Sequence, residues 1–210
     1  MGKSRKTIRK RKKLRKTQKG RGIIGYGMSG TVYYPPLQCK DPSKNPPINF
    51  DKYVSKLSFT KSAQKEFEMT SKIRDLKGYT DFIVVPEYIC EYNDKQSLLF
   101  SKYGGYTLVK YHAYLEKLAY TQEDKSEFDE PYYKNIIKAL DTLKKKVQYM
   151  NDNGIYQGDI SFDNVLYNED EKRAYLIDFE RGGKKADETV LVQDLIDEFE
   201  KMKRKIDSRK

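Results

Sequence analysis

Short apolar runs dominate the chain up to Tyr103, and apolar stripes at helical spacing dominate after it. The short runs predict strands at 23–24, 31–34, 52–59, 83–90 and 97–103, with Asn93-Asp94 as a turn between the last two. The stripes predict helices at 107–120, 131–153 and 188–206, and one earlier helix lies at 62–76. Two further short strands surround Val165-Leu166 and Tyr175-Leu176-Ile177. This order predicts an α+β fold, with Gly104-Gly105 as the break between a strand-rich part and a helical part.

Composition allows a core of moderate size, built largely from aromatic residues. Apolar residues make up 37% of the 210 positions, and the chain holds 18 Tyr and 9 Phe but no Trp. Residues 35–47 contain four prolines, which predicts a loop insertion rather than a helix or strand.

The positive charge of the chain is concentrated at its start. Residues 1–22 contain twelve of the 42 Lys and Arg residues and none of the 31 Asp and Glu residues. The rest of the chain therefore holds 30 basic against 31 acidic side chains. We predict a disordered basic arm at residues 1–22, followed by a nearly neutral folded body.

The two cysteines, Cys39 and Cys90, form neither a disulfide framework nor a metal-binding spacing. A reducing, intracellular compartment is therefore predicted. No stretch is long and apolar enough for a membrane span, and no apolar region follows the basic start as a signal peptide requires. His112, the only histidine, is predicted to lie on a helix away from the polar motifs.

A glycine-rich segment, Gly25-Tyr26-Gly27-Met28-Ser29-Gly30-Thr31-Val32, has the pattern G-x-G-x-x-G-x-V. Glycines allow a backbone to approach phosphates closely, but the same pattern also occurs in simple hairpin turns. In a dinucleotide-binding fold the segment would open a helix. Here β-branched and aromatic residues follow, which favours a hairpin over nucleotide phosphates.

Lys56 lies in the middle of a predicted strand, and two glutamates on the next helix are candidate partners for it. A lone strand lysine is usually an ordinary solvated residue, but a lysine facing a phosphate site needs an anionic partner that orients it. Glu66 is the stronger candidate because it shares a helix face with Met69 and Ile73, whereas Glu68 lies about 200° away around the helix.

Two carboxylates and an amide follow at fixed offsets in Gly158-Asp159 to Asn164 and in Leu176-Ile177-Asp178. An Asp-rich turn and a strand-ending Asp would give the same letters. In a phosphoryl-transfer site, however, one Asp orients the attacking hydroxyl, and an Asn and a second Asp hold magnesium.

The ordered set of glycine segment, strand Lys, helix Glu, Asp, Asn and Asp resembles the eukaryotic-type protein kinase superfamily over residues 23–180. More narrowly, it is similar to serine/threonine kinase-like proteins of nucleocytoplasmic large DNA viruses. That second similarity rests on the basic start, on Tyr33 to Lys40, on Tyr53 to Leu57 and on Gly78 to Phe82. The resemblance implies a two-lobed fold with a kinase-like N-lobe at 23–103 and a shortened helical C-lobe at 104–210.

The resemblance also implies a role for each matching residue. Gly25, Gly27 and Gly30 would cover ATP, Val32 would pack on adenine, and Phe100 to Tyr103, including Lys102, would form the hinge that reads the adenine edge. Lys56 would hold the phosphates with Glu66, Asp159 would act as the catalytic base, and Asn164 and Asp178 would bind Mg²⁺. The implied reaction is transfer of the γ-phosphoryl group of ATP to a hydroxyl, as in a serine/threonine protein kinase.

Several positions depart from the family pattern. Gln157-Gly158 replaces the usual His-Arg, Ser161 replaces a common Lys, and Glu180 replaces the Gly of Asp-Phe-Gly. Asp194 is a candidate for the helix Asp that anchors the catalytic segment, or else an ordinary charge on an amphipathic helix. Two alternatives stay open: a pseudokinase or virion scaffold protein, and a small-molecule kinase, since the part that would read the acceptor is not recognisable.

The basic arm fits a solubilising or nuclear-import tail, or a segment that binds nucleic acid or an acidic partner. Binding to nucleic acid would weaken as salt increases, because neutralised phosphates release counterions. No aromatic residue interrupts the arm, so base stacking is not expected. The host cytoplasm or the virion follows as the location from the viral resemblance, with the nucleus as an alternative from the arm.

Overall fold

The computed structural model describes residues 22–27, 30–120, 130–179 and 187–208. The first part of the chain forms a five-stranded antiparallel sheet in the order β1-β2-β3-β5-β4. Its strands are β1 Gly22–Gly27, β2 Gly30–Tyr34, β3 Tyr53–Phe59, β4 Tyr88–Asn93 and β5 Gln96–Lys102. The predicted glycine-rich hairpin is confirmed, since Gly27 pairs with Gly30 and Tyr26 with Thr31.

Two helices follow β3 where the sequence predicted one. Helix α1 covers Thr60–Met69 and α2 covers Ser71–Arg74. Between them, the Thr70 hydroxyl donates to the Phe67 carbonyl oxygen at 2.9 Å, a side-chain bond that competes with regular helical pairing. The Arg74 guanidinium then donates to the Pro86 carbonyl oxygen at 2.5 Å and holds α2 against the segment before β4.

The predicted strand at 83–90 starts later, because its first residues cross to the other sheet. Ile83 forms a parallel bridge with Leu176, and the Val84 N–H donates to the Leu176 carbonyl oxygen at 3.0 Å. Ile83 and Val85 are buried in the large core. This part of the predicted N-lobe therefore packs together with the C-terminal elements.

The second part of the chain combines a small sheet with three helices. The elements are β6 Tyr106–Thr107, α3 Leu108–Tyr120, α4 Glu130–Asp152, β7 Val165–Asn168, β8 Arg173–Leu176 and α5 Glu188–Asp207. The strands pair antiparallel in the order β6-β7-β8. The predicted stripe on α4 is confirmed as core, with Ile136, Leu140, Leu143, Val147 and Met150 all buried. Among the helices of the described ranges, none is long and apolar enough to cross a membrane.

The Gly104-Gly105 break joins the two sheets by a close backbone approach. Gly105 has φ +104°, and a Cβ there would lie 2.1 Å from the Tyr167 carbonyl oxygen. At Gly104 a Cβ would lie 2.9 Å from Leu166 Cδ1 and from Val84 Cγ2. Position 105 therefore requires glycine for the chain to pass from β5 to β6, whereas a larger residue at Gly104 would displace the side chains of Leu166 and Val84.

The structure contradicts the prediction that Cys39 and Cys90 form no disulfide. Cys39 and Cys90 form a disulfide with a Cα–Cα distance of 5.9 Å. It fastens the proline-rich insertion to the edge strand β4, where the Lys40 N–H also donates to the Glu91 carbonyl oxygen at 2.8 Å. Disulfides persist mainly in oxidising surroundings, so the reason for predicting a reducing compartment is removed.

Candidate active site

The sheet lysine, the helix glutamate and the C-terminal aspartate of the predicted site lie together. Lys56 Nζ is 2.8 Å from Glu66 Oε2 and 3.9 Å from Asp178 Oδ1. The side chains of Lys56 and Glu66 are 16% and 6% exposed, and that of Asp178 is 30% exposed. One ammonium group therefore connects α1 with the segment that follows β8, and the three groups meet where the two parts of the chain face each other.

The alternation of β3 explains why Lys56 faces this site. Strand register pairs Lys56 with Val32 on one side and with Leu99 on the other, so these three side chains share one face of the sheet. Ser55 and Leu57 point to the opposite face, towards the insertion. Glu66 is buried on α1, whereas Glu68 is exposed, so the structure places the stronger sequence candidate beside the lysine.

The three glycines of the hairpin have different steric surroundings. Gly30 has φ +146°, and a Cβ there would lie 2.4 Å from the Leu57 carbonyl oxygen. A Cβ at Gly25 would make ordinary contact with Val32, and one at Gly27 would meet nothing within 4 Å. Gly30 is thus required by the close approach of β2 to β3, whereas only Gly27 has open space beside its backbone.

The predicted hinge residues are placed differently from the expectation. Because Leu99 shares the face of Lys56, the side chains of Phe100 and Lys102 lie on the opposite face. Phe100 is buried in the small core cluster, and Lys102 Nζ lies 3.2 Å from Glu87 Oε1. Neither side chain can line a site beside Lys56, because the sheet separates them from it.

Tyr103 does lie at the edge of the cleft, but its backbone is engaged. Its N–H donates to the Lys52 carbonyl oxygen at 2.8 Å, and its ring packs on Tyr34 and Tyr106 at centroid distances of 5.4 and 5.9 Å. Burial, followed by the hydrogen bond with Tyr106, raises the pKa of the Tyr103 phenol, so this phenol stays neutral.

The loop between α4 and β7 brings Asp159 and Asn164 together. Asn164 Nδ2 donates to the Asp159 carbonyl oxygen at 2.8 Å, which leaves Oδ1 as the acceptor atom of that amide. The Asn164 backbone carbonyl in turn accepts from the Ile177 N–H at 3.0 Å, which places Asn164 beside the segment that carries Asp178. The five-residue spacing of the motif thus lets Asn164 hydrogen-bond back to Asp159, so both residues lie in one compact loop.

Gln157 is a site residue that the sequence analysis named only as a departure from the family pattern. Its side chain is fully buried, and its Nε2 donates to the carbonyl oxygens of Ile177 and Asp178 at 2.9 Å each. Its Oε1 accepts from the Asp159 N–H at 2.6 Å. One amide therefore fixes the backbone of Asp159 relative to that of Asp178. The sequence indicates this role only by the position of Gln157, an amide residue that follows Ile155-Tyr156 and directly precedes Gly158-Asp159.

Glu188, at the start of α5, anchors the same loop from below. It is fully buried and accepts from the Gly158 N–H at 2.5 Å and from the Gln157 N–H at 3.2 Å. Burial raises the pKa of Glu188, and the two backbone hydrogen bonds partly oppose this rise. The prediction that Asp194 anchors this segment is wrong, because Asp194 is exposed and lies about two turns after Glu188 on the helix. No pattern along the sequence distinguishes Glu188 from the other carboxylates of this helix.

The donor set of Asn164 and Asp178 suits magnesium. Mg²⁺ takes oxygen ligands and is usually held by one or two carboxylates together with substrate phosphates and water, rather than by a complete protein cage. An amide oxygen and a carboxylate meet that description. In the described ranges, no cluster of three or more His, Cys, Asp or Glu side chains is arranged for a metal.

Comparison with known proteins identifies the fold. No protein-family model matches the chain, and no curated protein matches it by sequence. Among solved structures, the chain is similar to the BubR1 kinase domain, with a TM-score of 0.52 and 18% sequence identity. The match covers 77% of this chain and 46% of that domain, so the chain spans less than half the length of this structural neighbour. The strand order of the first sheet and the TM-score together show that the chain has a protein-kinase-like fold.

Proposed function

We propose that this protein transfers the γ-phosphoryl group of ATP to a hydroxyl group, with a serine or threonine side chain as the acceptor class. The observation that carries the proposal is the position of Lys56 Nζ between Glu66 and Asp178. Phosphoryl transfer needs little covalent chemistry from the protein, because positioning and stabilisation of charge supply most of the rate. Glu66 orients the ammonium group of Lys56, and this cation lies beside Asp178, a candidate metal ligand.

Each residue has a role that follows from its contacts. Lys56 would bind phosphate oxygens while Glu66 keeps its ammonium group in place, and Val32 would pack on the base because it shares the face of Lys56. Asp159 would accept the proton of the attacking hydroxyl. Asn164 and Asp178 would hold Mg²⁺, which when bound neutralises developing charge on the phosphates.

The glycine hairpin supports the same proposal from above the cleft. Open space beside Gly27 lets a phosphate approach the backbone, whereas a side chain there would occupy it. The narrower viral resemblance and the choice of a protein as acceptor remain predictions from the sequence.

A labelling experiment tests the activity. The full chain would be incubated with Mg²⁺ and γ-labelled ATP and offered a panel of Ser/Thr peptides, proteins and small hydroxyl compounds. Removing a general base costs about 10²–10⁴-fold in rate, so Asp159→Asn should lose that much labelling. Asp178→Ala should abolish metal-dependent turnover.

Asp163→Asn is the matched control, since Asp163 is an exposed carboxylate in the same loop. It should keep activity close to that of wild type. If Asp178→Ala labels the acceptors as well as wild type does, the assignment of the site is wrong. If only small hydroxyl compounds are labelled, the protein is a small-molecule kinase.

A pseudokinase or scaffold role, in which the protein does not bind nucleotide, is the second candidate. It is favoured by the predicted hinge, where the Phe100 carbonyl oxygen accepts from the Glu87 N–H and the Tyr103 N–H is donated to Lys52. Those two backbone groups are used within the protein, which reduces what is offered to a base edge. A thermal-shift titration separates the candidates, because a ligand bound only by the native state raises Tm. No shift at millimolar Mg-ATP would favour the scaffold.

A further inference from the structure

A groove lies beside the candidate catalytic loop. It encloses about 500 Å³ and is lined by Val109, His112, Phe162, Asp194, Leu195 and Glu198. Phe162 follows Asp159 by three residues, and its carbonyl oxygen accepts from the Val109 N–H at 3.2 Å. The groove therefore shares a wall with the loop that carries the candidate base.

The floor of the groove is apolar and its polar side is acidic. The His112 ring packs on Phe162 at 4.9 Å between centroids, so the predicted separation of His112 from the motifs is wrong. Glu198 Oε1 lies 3.9 Å from His112 Nε2, and Glu198 Oε2 lies 3.3 Å from Lys201 Nζ. Asp194 adds a second, exposed carboxylate to the groove.

We propose that the basic arm of the same molecule, residues 1–22, binds in this groove. The arm carries twelve Lys and Arg residues and no acidic residue, whereas the rest of the chain is nearly neutral. The negative charge of Asp194 and Glu198 in the groove is therefore complementary to the positive charge of the arm. This proposal concerns binding alone and does not depend on the proposed phosphoryl transfer.

The arm also matches the apolar floor. Ile8 and Leu14 are its aliphatic residues beyond Met1. Leu14 lies between Lys13 and Arg15, and Ile8 lies between Thr7 and Arg9. An aliphatic side chain between two basic ones fits a surface with an apolar floor and acidic groups beside it.

The length of the arm permits this contact. Gly22 begins β1, so 21 residues precede the sheet, and such a segment spans at most about 70 Å when extended. A folded body of this size has a radius of gyration of about 16 Å. The arm can therefore reach the groove around the body.

Tryptic cleavage of the full chain measures the docking without nucleotide. Every basic residue of the arm is a cleavage site, and cleavage tracks the population in which the arm is released. Intact-mass measurements would give the rate of the first cuts within residues 1–22. Asp194→Lys/Glu198→Lys should raise that rate by at least about fivefold over wild type. Salt should raise the wild-type rate as well, because screening weakens exposed charge pairs.

Two further variants keep the test decisive. Asp141→Lys/Glu200→Lys makes the same change of net charge at positions that do not line the groove and should leave the rate unchanged. Ile8→Ser/Leu14→Ser alters only the arm, keeps every tryptic site and should raise the rate. Equal rates in wild type, the groove variant and the arm variant would overturn the proposal.

Carbodiimide cross-linking then maps the contact, since it joins lysine amines directly to carboxylates. Wild type should yield links from arm lysines to Asp194 or Glu198 within one molecule, at a yield that does not change on dilution. Links to carboxylates elsewhere would contradict the proposal. Links between molecules that disappear on dilution would contradict it too, because the arm of a second copy would then be the occupant.

Discussion

The Gln157 side chain donates from Nε2 to the carbonyl oxygen of Asp178 at 2.9 Å and connects the candidate metal ligand to the candidate base. Its Oε1 accepts from the Asp159 N–H at 2.6 Å. Asp178 has φ +59°, a left-handed conformation that a non-glycine residue keeps only when its surroundings hold it there. The buried amide is one such restraint, so the positions of both carboxylates depend on one side chain outside the family pattern.

Replacing Gln157 should therefore disturb both stability and the site. Gln157→Leu leaves the Asp159 N–H and the two carbonyl groups without their side-chain partner, and a buried unsatisfied group costs about 1–3 kcal/mol. We expect the free energy of unfolding in urea to fall by about 2–4 kcal/mol. Gln148→Leu is the control because Gln148 is exposed, and its effect should stay within about 0.5 kcal/mol. Equal losses in the two variants would contradict the role of Gln157.

The Lys56–Glu66 pair should show measurable coupling. Lys56→Met leaves the buried Glu66 carboxylate without this lysine, and we expect a loss of about 2–3 kcal/mol in the free energy of unfolding. Adding Glu66→Gln removes the charge and should restore part of the loss, giving a coupling energy of at least about 0.5 kcal/mol in a double-mutant cycle. The stabilisation of wild type by Mg-ATP should disappear in Lys56→Met.

An exposed pair gives the contrast for that cycle. Lys201 Nζ lies 3.3 Å from Glu198 Oε2, with side chains 56% and 35% exposed. The cycle of Lys201→Met and Glu198→Gln should yield no more than about 0.5 kcal/mol of coupling, because solvent screens exposed charges. Similar coupling in both cycles would show that the Lys56–Glu66 pair is no more than a surface ion pair.

The glycines of the hairpin should respond unequally to alanine. Gly30→Ala places a Cβ 2.4 Å from the Leu57 carbonyl oxygen at φ +146°, so β2 must move away from β3. We expect a loss of about 1–3 kcal/mol in the free energy of unfolding. Gly27→Ala meets nothing within 4 Å and should change stability by less than about 0.5 kcal/mol. Thermal or urea unfolding of the two variants decides the matter, and a larger effect at Gly27 would contradict the structure.

Glu188 should make stability depend on pH. Burial raises its pKa above the ordinary value, so its stabilising contribution is complete below the unfolded-state pKa and is lost as pH rises through the folded-state pKa. Wild type should therefore lose stability relative to Glu188→Gln as pH increases from about 4 towards 7. Urea unfolding of both proteins over this range measures the difference. A constant difference at every pH would show that the folded protein does not raise this pKa.

The disulfide should stabilise the sheet in oxidised protein. Its cysteines are 51 positions apart, and a cross-link over such a loop restricts the unfolded chain, which contributes about 2–4 kcal/mol. Reductant should lower the Tm of wild type. Cys39→Ser/Cys90→Ser should have about the Tm of reduced wild type, and reductant should not change it. A wild-type Tm that does not respond to reductant, with both thiols titrating as free, would contradict the bond.

The local pattern of apolar and polar residues was sufficient to predict the helices and strands that bury one face. The stripe on α4, the hairpin of β1 and β2, and the direction of Lys56 on β3 follow from period and register, which are properties of neighbouring residues. The single helix predicted at 62–76 failed at Thr70, whose hydroxyl bonds back to Phe67. The strand predicted at 83–90 failed because Ile83 and Val84 bond to Leu176, almost a hundred residues later.

The residues that support the site could not be found in the same way. The pattern that marks Asp159, Asn164 and Asp178 is short-range, whereas Gln157 and Glu188 act on backbone groups that only folding brings near them. Glu188 lies thirty positions after Gly158, whose N–H donates to it, and its burial, which alters its pKa, depends on the packing of α5. A carboxylate on an amphipathic helix carries no sequence signal that separates this role from Asp194.

By itself the sequence determined the order of elements, the chemistry of the candidate residues and the separation of a basic arm from a neutral body, because period, residue type and charge are local properties. Only the tertiary structure decided which groups meet. It brought Lys56 to Glu66 and Asp178, turned Phe100 and Lys102 away from that face, joined Cys39 to Cys90 and opened the acidic groove beside Phe162. Each of these depends on strand pairing or helix packing between distant segments, and the burial of a shared core selects one such arrangement.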